Sequence, residues 1–303
     1  MTLVPMPDLL GHARGGGYAI GYFEAWDSYS LEAIVAAAEA ERSPVVIGFG
    51  CMLLEQSWLE HGGIEVFGAI GRQAAENCRV PVSLLLNEAH TVEHALRGID
   101  AGFNAVMICD GDVERNARLV EVAHAAGVAV EAELGELPEG GPDGNVDLSD
   151  SGLTDPDEAA AFVAATGVDA LAVSFGNVHT LEGAQATIDL DRLAAVHARV
   201  GVPLVAHGGT GFPAGAVPGA IERGVAKFNI GTILKRSYLD ALRGAIGNVS
   251  DMTSPHDLIG SHGSEDLLEV GKANVIEVVR MLIRRFGGSG RAAELTQMAA
   301  GRP

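Results

Sequence analysis

The sequence predicts an α/β protein folded as a (β/α)8 TIM barrel, with an additional helical segment at the C-terminus. Three observations carry that expectation. Eight short apolar runs alternate with eight stretches of helical periodicity across 303 residues, the number of units and the length of such a barrel. The runs are continuous instead of alternating, as in a parallel sheet covered on both faces. Histidines, carboxylates and glycines gather at the ends of the runs, where this architecture places its active site. A doubly wound open sheet is the alternative, but no Gly-x-Gly-x-x-Gly follows the first run to support it.

In chain order the strands are expected at 18–23, 44–50, 80–87, 105–110, 128–135, 170–176, 203–209 and 227–232. Between them, Leu31, Ile34, Val35 and Ala38 recur at i, i+3, i+4 and i+7, as do Leu190, Leu193, Ala194 and His197. Thr91 reads as an N-cap directly after the third strand. Asp155, Pro156 and Glu158 read as N-cap, N1 and N3 of another helix. Residues 137–153, rich in Gly, Pro and acids, form a long loop after strand five, of the kind that serves as a lid or is disordered. Beyond Ser250, residues 265–286 predict one long helix with an apolar face of Leu268, Val275, Val278, Val279, Leu282 and Ile283. That face suits either the barrel or another subunit. No linker divides the chain, so 1–303 is expected to be one domain, with a helical extension from about 250.

Composition narrows the function. A net charge of −20 argues against nucleic acid, whose phosphates need clustered Lys and Arg. It also means that a phosphorylated substrate would be held by backbone N–H groups and a few chosen cations. No apolar run reaches the roughly 18 residues of a membrane span. The start, Met1-Thr2-Leu3-Val4-Pro5, lacks the basic and apolar regions of a secretory signal. Three cysteines cannot build a disulfide framework or a Cys-rich zinc site. A reducing, cytoplasmic setting is the expectation.

The strand ends carry the chemistry. His179 and His207 follow neighbouring strands six and seven and can converge; with Glu88 after strand three they form a set suited to zinc or another first-row divalent ion. His90 is a rival ligand. Lone strand-end histidines are more often structural, and Glu88 could simply favour a helix N-terminus. Gly208, Gly209 and Thr210 after strand seven, with Asn229, Gly231 and Thr232 at strand eight, stand where barrels often bind phosphate; ordinary turn glycines are the plainer reading. Glu131 and Glu133, two apart on strand five, share a face, either the barrel interior or the helix layer. Glu133, nearer the strand end, is the better functional candidate. Lys227 is read as starting strand eight, at the bottom of the barrel and away from the site. Strand six carries no lysine, so Schiff-base chemistry is disfavoured.

In order along the chain, these segments resemble the class II, metal-dependent ketose-bisphosphate aldolases, the fructose- and tagatose-bisphosphate aldolase family. The resemblance runs from Gly16-Gly17-Tyr18-Ala19-Ile20, through Val130-Glu131-Ala132-Glu133-Leu134-Gly135, to His207-Gly208-Gly209-Thr210-Gly211 and Lys227-Phe228-Asn229-Ile230. It implies a (β/α)8 barrel, a catalytic divalent metal (usually zinc), a small-molecule phosphosugar substrate and a homodimer or homotetramer. It implies His179 and His207 as metal ligands, Glu133 beside the metal, and the two glycine-containing segments around the ketose phosphate.

The departures from the family cluster at one place. Where the family has Asp-His after strand three, this chain has Asn87-Glu88. The aspartate exchanges a proton with the aldehyde-derived hydroxyl, which an amide cannot do, and the histidine is a metal ligand. Glu24, Cys109 and Thr180 also stand where the family has Asn, Asp and Gly. The expected activity is therefore that of a divergent metal-dependent aldolase, with Asn87, Glu88, His90 and Glu133 around the reacting bond and Glu88, His90, Glu133 or a loop acid replacing the lost aspartate. A related metal-dependent lyase or isomerase reaction, or non-catalytic sugar-phosphate binding, are the alternatives.

Overall fold

Eight strands pair in chain order, all parallel, and the eighth closes onto the first. They are β1 (Ile20–Glu24), β2 (Val45–Gly50), β3 (Val82–Ala89), β4 (Ala105–Ile108), β5 (Ala129–Leu134), β6 (Ala170–Val173), β7 (Leu204–Ala206) and β8 (Val225–Ile230). The helices are α1 (Met6–Gly16), α2 (Ser28–Glu41), α3 (Gln56–Trp58), α4 (Ile64–Asn77), α5 (Val92–Asp100), α6 (Val113–Ala125), α7 (Pro156–Thr166), α8 (Leu190–His197), α9 (Val217–Glu222), α10 (Thr232–Ile246), α11 (Pro255–Leu258) and α12 (Leu267–Arg285). This is a computed structural model, and it describes residues 3–135, 137–146, 152–250 and 252–295. The expected (β/α)8 barrel is present, with most strands shorter than their apolar runs. In strands four to eight the last residues of the run leave the ladder and lead into the site loops.

The caps act as their sequence suggests. The Thr91 hydroxyl accepts from His94 N, and Asp155 accepts from the backbone of Asp157 and Glu158. Asp27 and Ser30 close a capping box at the head of α2. Two apolar layers result. The larger lies between strands and helices, with Phe49, Phe103 and Phe228 at its centre. The smaller fills the barrel interior: Ile20, Tyr22, Val46, Leu85, Met107 and Val205. Its lower end is closed by α1, which buries Met6, Leu9, Leu10 and Ala13 at i, i+3, i+4 and i+7. This helix is an addition to the expected elements, and its stripe is visible in the sequence.

The expected long C-terminal helix is α12, started by Asp266, whose side chain accepts from Leu268 N. It packs its apolar face onto the barrel, between α2 and α10. One buried carboxylate fastens it. Glu41 of α2 accepts from Arg280 Nε at 2.9 Å, Arg284 Nη2 at 2.6 Å and Ser289 Oγ at 2.7 Å. Arg284 above all holds the Glu41 carboxyl down from 4.5 to about 2, overcoming the upward push of burial.

A depressed carboxyl stabilises the fold above its unfolded pKa and loses that contribution as pH falls through the folded value. Glu41→Gln is expected to lower stability by about 1–3 kcal/mol at neutral pH. The difference from the parent should shrink as pH falls from 4.5 towards about 2. Denaturant unfolding of both proteins across that range measures it.

Candidate active site and metal centre

Alternation along the strands sends every second side chain into the barrel. On β5 this aims Glu131 and Glu133 inward, and on β8 Lys227 and Asn229, so that the four face one another across the interior. The expectation for Lys227 is corrected. β8 begins at Val225, and the ammonium, wholly buried, lies 2.9 Å from Glu131 Oε2 and also bonds Asn229 Oδ1. It also stands 5.0 Å from the Tyr22 ring centroid. Lys227 therefore forms the floor of the site. Burial pulls its pKa down, against the pull of Glu131. The Glu131 carboxyl is held below its usual range because Lys227 and His207 together outweigh the burial that would raise it.

His207 stands on this floor. Its Nε2 is 3.1 Å from Glu131 Oε1 and 2.9 Å from Asn229 Nδ2. A proton on Nε2 donated to Glu131 leaves the Nδ1 lone pair free, the arrangement that a metal-binding imidazole needs. That Nδ1 is buried without a hydrogen-bond partner, 3.1 Å from Glu133 Oε2, itself unpaired, and 3.4 Å from Glu88 Oε1. Burial would lower the His207 pKa, yet Glu133, Glu131 and Glu88 raise it to about 10. The cluster thus calls for positive charge at the point where these atoms meet. One ligand atom each from Glu88, His179 and His207 lies within 4.8 Å of the others. Two imidazoles, one carboxylate and orphaned buried acceptors fit a first-row divalent ion.

Two backbone features bring the ligands together. The β3–β4 register slips between Leu86 and Ala89, and Glu88 adopts φ +54°. This bulge lets two consecutive residues, Asn87 and Glu88, both turn inward. The Glu88 carboxyl is held below its usual range, because His207 and His179 overcome its burial. Asn87 is buried, with Oδ1 3.4 Å from Asn229 Nδ2. On the other side, Gly208 at φ +69° meets the β6 loop so closely that a Cβ there would stand 2.1 Å from Val178 O. Only glycine permits this approach, and it seats His179 beside His207, with ring centroids 5.6 Å apart.

Two cavities open on the cluster and share Met52 and His179. The first, about 240 Å³, is lined by all six expected phosphate-side residues, Gly208, Gly209, Thr210, Asn229, Gly231 and Thr232. It faces the start of α10, whose N-cap Gly231 supplies no side-chain bond, a ready anion site. Lys235 and Arg236 stand at its rim, paired with Glu24 and Glu182. The Asn229 side chain accepts from Lys227 through Oδ1 and turns Nδ2 towards Asn87 Oδ1. The second cavity, about 480 Å³, is lined by Glu133, Cys109, Asp110 and Glu139 among others.

His90 is a correction: it is exposed and stands by His94, outside the cluster, because the bulge spends the inward positions on Asn87 and Glu88. The loop after strand five is described at 137–146 and from 152; the rest of the 137–153 stretch lies outside the described residues. Its first part is tied down. Gly140 N donates to His179 O at 2.8 Å, His179 N to Pro138 O at 2.9 Å, and Thr180 Oγ1 to Gly140 O at 2.7 Å. Asp143 instead accepts from Asn145.

The sequence profile of the family described as fructose-bisphosphate aldolase class-II matches residues 4–291. The chain belongs to the class II fructose-bisphosphate aldolase family. It is 33% identical over 302 residues to the fructose-bisphosphate aldolase of Geobacillus stearothermophilus, covering 97% of this chain and 100% of that one. It is 32% identical over 300 residues to the fructose-bisphosphate aldolase of Staphylococcus epidermidis, covering 96% and 100%. The crystal structure of the YdjI aldolase from Escherichia coli K12 is similar with a TM-score of 0.76 at 29% identity, over 96% of this chain and 99% of that one. Within this class II aldolase the departures at Asn87 and Glu88 are set side by side at the cluster.

The arrangement predicts about one tightly held divalent ion per chain, lost in His179→Ala and His207→Ala. Glu131→Gln leaves the ligands in place but removes the anchor of Nε2, and is expected to weaken metal affinity by about 10–100-fold. Metal titration followed by elemental analysis measures both.

Proposed function

We propose that this class II aldolase makes or breaks a C–C bond in a phosphorylated ketose, through an enediolate, with Glu88, His179 and His207 holding zinc or another first-row divalent ion. The observation that carries this is the meeting of three ligand atoms beside a glycine-lined cavity at a helix N-terminus. When bound, the ion supplies Lewis acidity at the ketose carbonyl. The chain's own residues do the rest. Backbone N–H groups around Gly209 and Thr232 hold the phosphate, and Lys235 and Arg236 add charge at its rim. Lys227 and Glu131 orient His207. In cleavage, a carboxylate takes the proton from the hydroxyl at the carbon that becomes the aldehyde, the C–C bond breaks, and its electrons pass into the enediolate. Protonation of the enediolate at the carbon that lost the bond then completes the ketone product.

Asn87 cannot take the proton. Glu133, at the edge of the second cavity with an unpaired oxygen, is the group placed to do so. The amide at 87 favours one second reading, a metal-dependent lyase or isomerase reaction that enolises the substrate without that transfer. Non-catalytic sugar-phosphate binding is the outcome if nothing turns over. A homodimer or homotetramer in the cytoplasm is the expected state of the working enzyme.

Metal-loaded protein should release dihydroxyacetone phosphate from a ketose phosphate in a coupled assay, and chelation should abolish this until metal is returned. Loss of a positioned acid–base group costs about 10²–10⁴-fold; Glu133→Gln should lower kcat by that factor when compared with the parent at equal metal content. Binding without release of any product from a ketose panel would favour the binder.

A further inference from the structure

The two cavities differ in charge, and the difference bears on the substrate. The proposed phosphate cavity has glycine N–H groups, a helix start where Thr210 Oγ1 takes Ile233 N, and two cations, Lys235 and Arg236, which balance its Glu24 and Glu182; its third carboxylate, Glu88, belongs to the candidate metal cluster. The second cavity has three carboxylates, Asp110, Glu133 and Glu139, and no Lys or Arg in its lining among the described residues. Arg115 of α6 pairs with Asp110, 3.2 Å from Oδ2. The loop residues that line this cavity, Leu137 and Glu139, belong to a described stretch, 137–146, that contains neither Lys nor Arg. Glu139 is held there by the backbone bonds that tie Pro138 and Gly140 to His179. At neutral pH a phosphate monoester carries about −1.5 to −2 charges. Placed among these carboxylates it would meet like charge without a compensating donor, an arrangement that selects against a ligand. A hydroxyl donates to a carboxylate without that penalty.

We propose that the substrate carries its only anionic group at the glycine-lined end: a ketose monophosphate, whose far end is uncharged and hydroxylated. This rests on the aldolase reading for the position of the scissile bond, but the charge preference itself is a property of binding. Glu139, which has no cation beside it in the second cavity's lining among the described residues, is then a specificity-determining residue, acting by repulsion.

The test compares fructose 1-phosphate with fructose 1,6-bisphosphate, and tagatose 1-phosphate with its 1,6-bisphosphate, on the full-length protein. With metal loaded, kcat/KM should favour the monophosphate of each pair by about 10²-fold or more. Calorimetry on metal-free protein, which does not consume the sugars, should show a lower Kd for the monophosphate. Glu139→Lys should narrow the gap by about tenfold, through better use of the bisphosphate. A ratio near one, or in favour of the bisphosphate, overturns the proposal, as does a Glu139→Lys protein that binds metal normally but keeps the parent's ratio. If no sugar is cleaved yet the monophosphate still binds more tightly, the aldolase reading fails and the charge preference stands. Binding of neither sugar overturns both.

Discussion

A buried chain of charge, Lys227 to Glu131 to His207, is the constraint on which the rest of the site depends. All three side chains are almost completely removed from solvent. Removing one partner of such a pair typically costs about 3–5 kcal/mol, because the other charge is left stranded. Lysine below and imidazole above keep the Glu131 carboxylate ionised, and the carboxylate in turn decides which imidazole nitrogen faces upward. Directly above that layer Glu88 and Glu133 gather around His207 Nδ1 and call for a cation. Below it the interior is largely apolar, closed by α1.

The barrel makes such a layered interior possible. Parallel strands bring residues from distant parts of the chain to the same height, so that Glu131 and Lys227, 96 positions apart, become neighbours. The strand ends depart from regular geometry where the chemistry is. Glu88 and Thr180 both adopt positive φ without being glycine. Such residues persist only where surrounding contacts over-determine them. Glu88 is held by the histidines, and Thr180 by its bond to the loop. The same loop carries Glu139, so one hydrogen-bonded unit positions His179, a candidate ligand, and an acid of the second cavity together.

Much of this was legible in the residues. Continuous apolar runs and their punctuation located all eight strands, and the caps at Thr91 and Asp155 located helix starts. His179, His207 and Glu88 converge as expected, and the six phosphate-side residues line one cavity. The misreadings have physical causes. His90 was weighed beside Glu88 because a one-residue bulge leaves no trace in a pattern of types. Lys227 was placed at the barrel's foot because β8 was begun two residues late, and a lysine inside a barrel contradicts any composition rule until its partner is known. Helix α1 keeps helical spacing at Met6, Leu9, Leu10 and Ala13, a stripe too short to stand out beside the eight repeated units.

By itself the sequence determined the architecture, the family and the kinds of atom available at each strand end, because hydrophobic period and turn chemistry act locally. Only the tertiary structure decided that Asn87 and Glu88 both face inward, that Lys227 underlies His207, and that one cavity is ringed by carboxylates while the other is lined by glycine N–H groups. Those outcomes depend on strand register and on distances between residues far apart in the chain, and no local pattern encodes either.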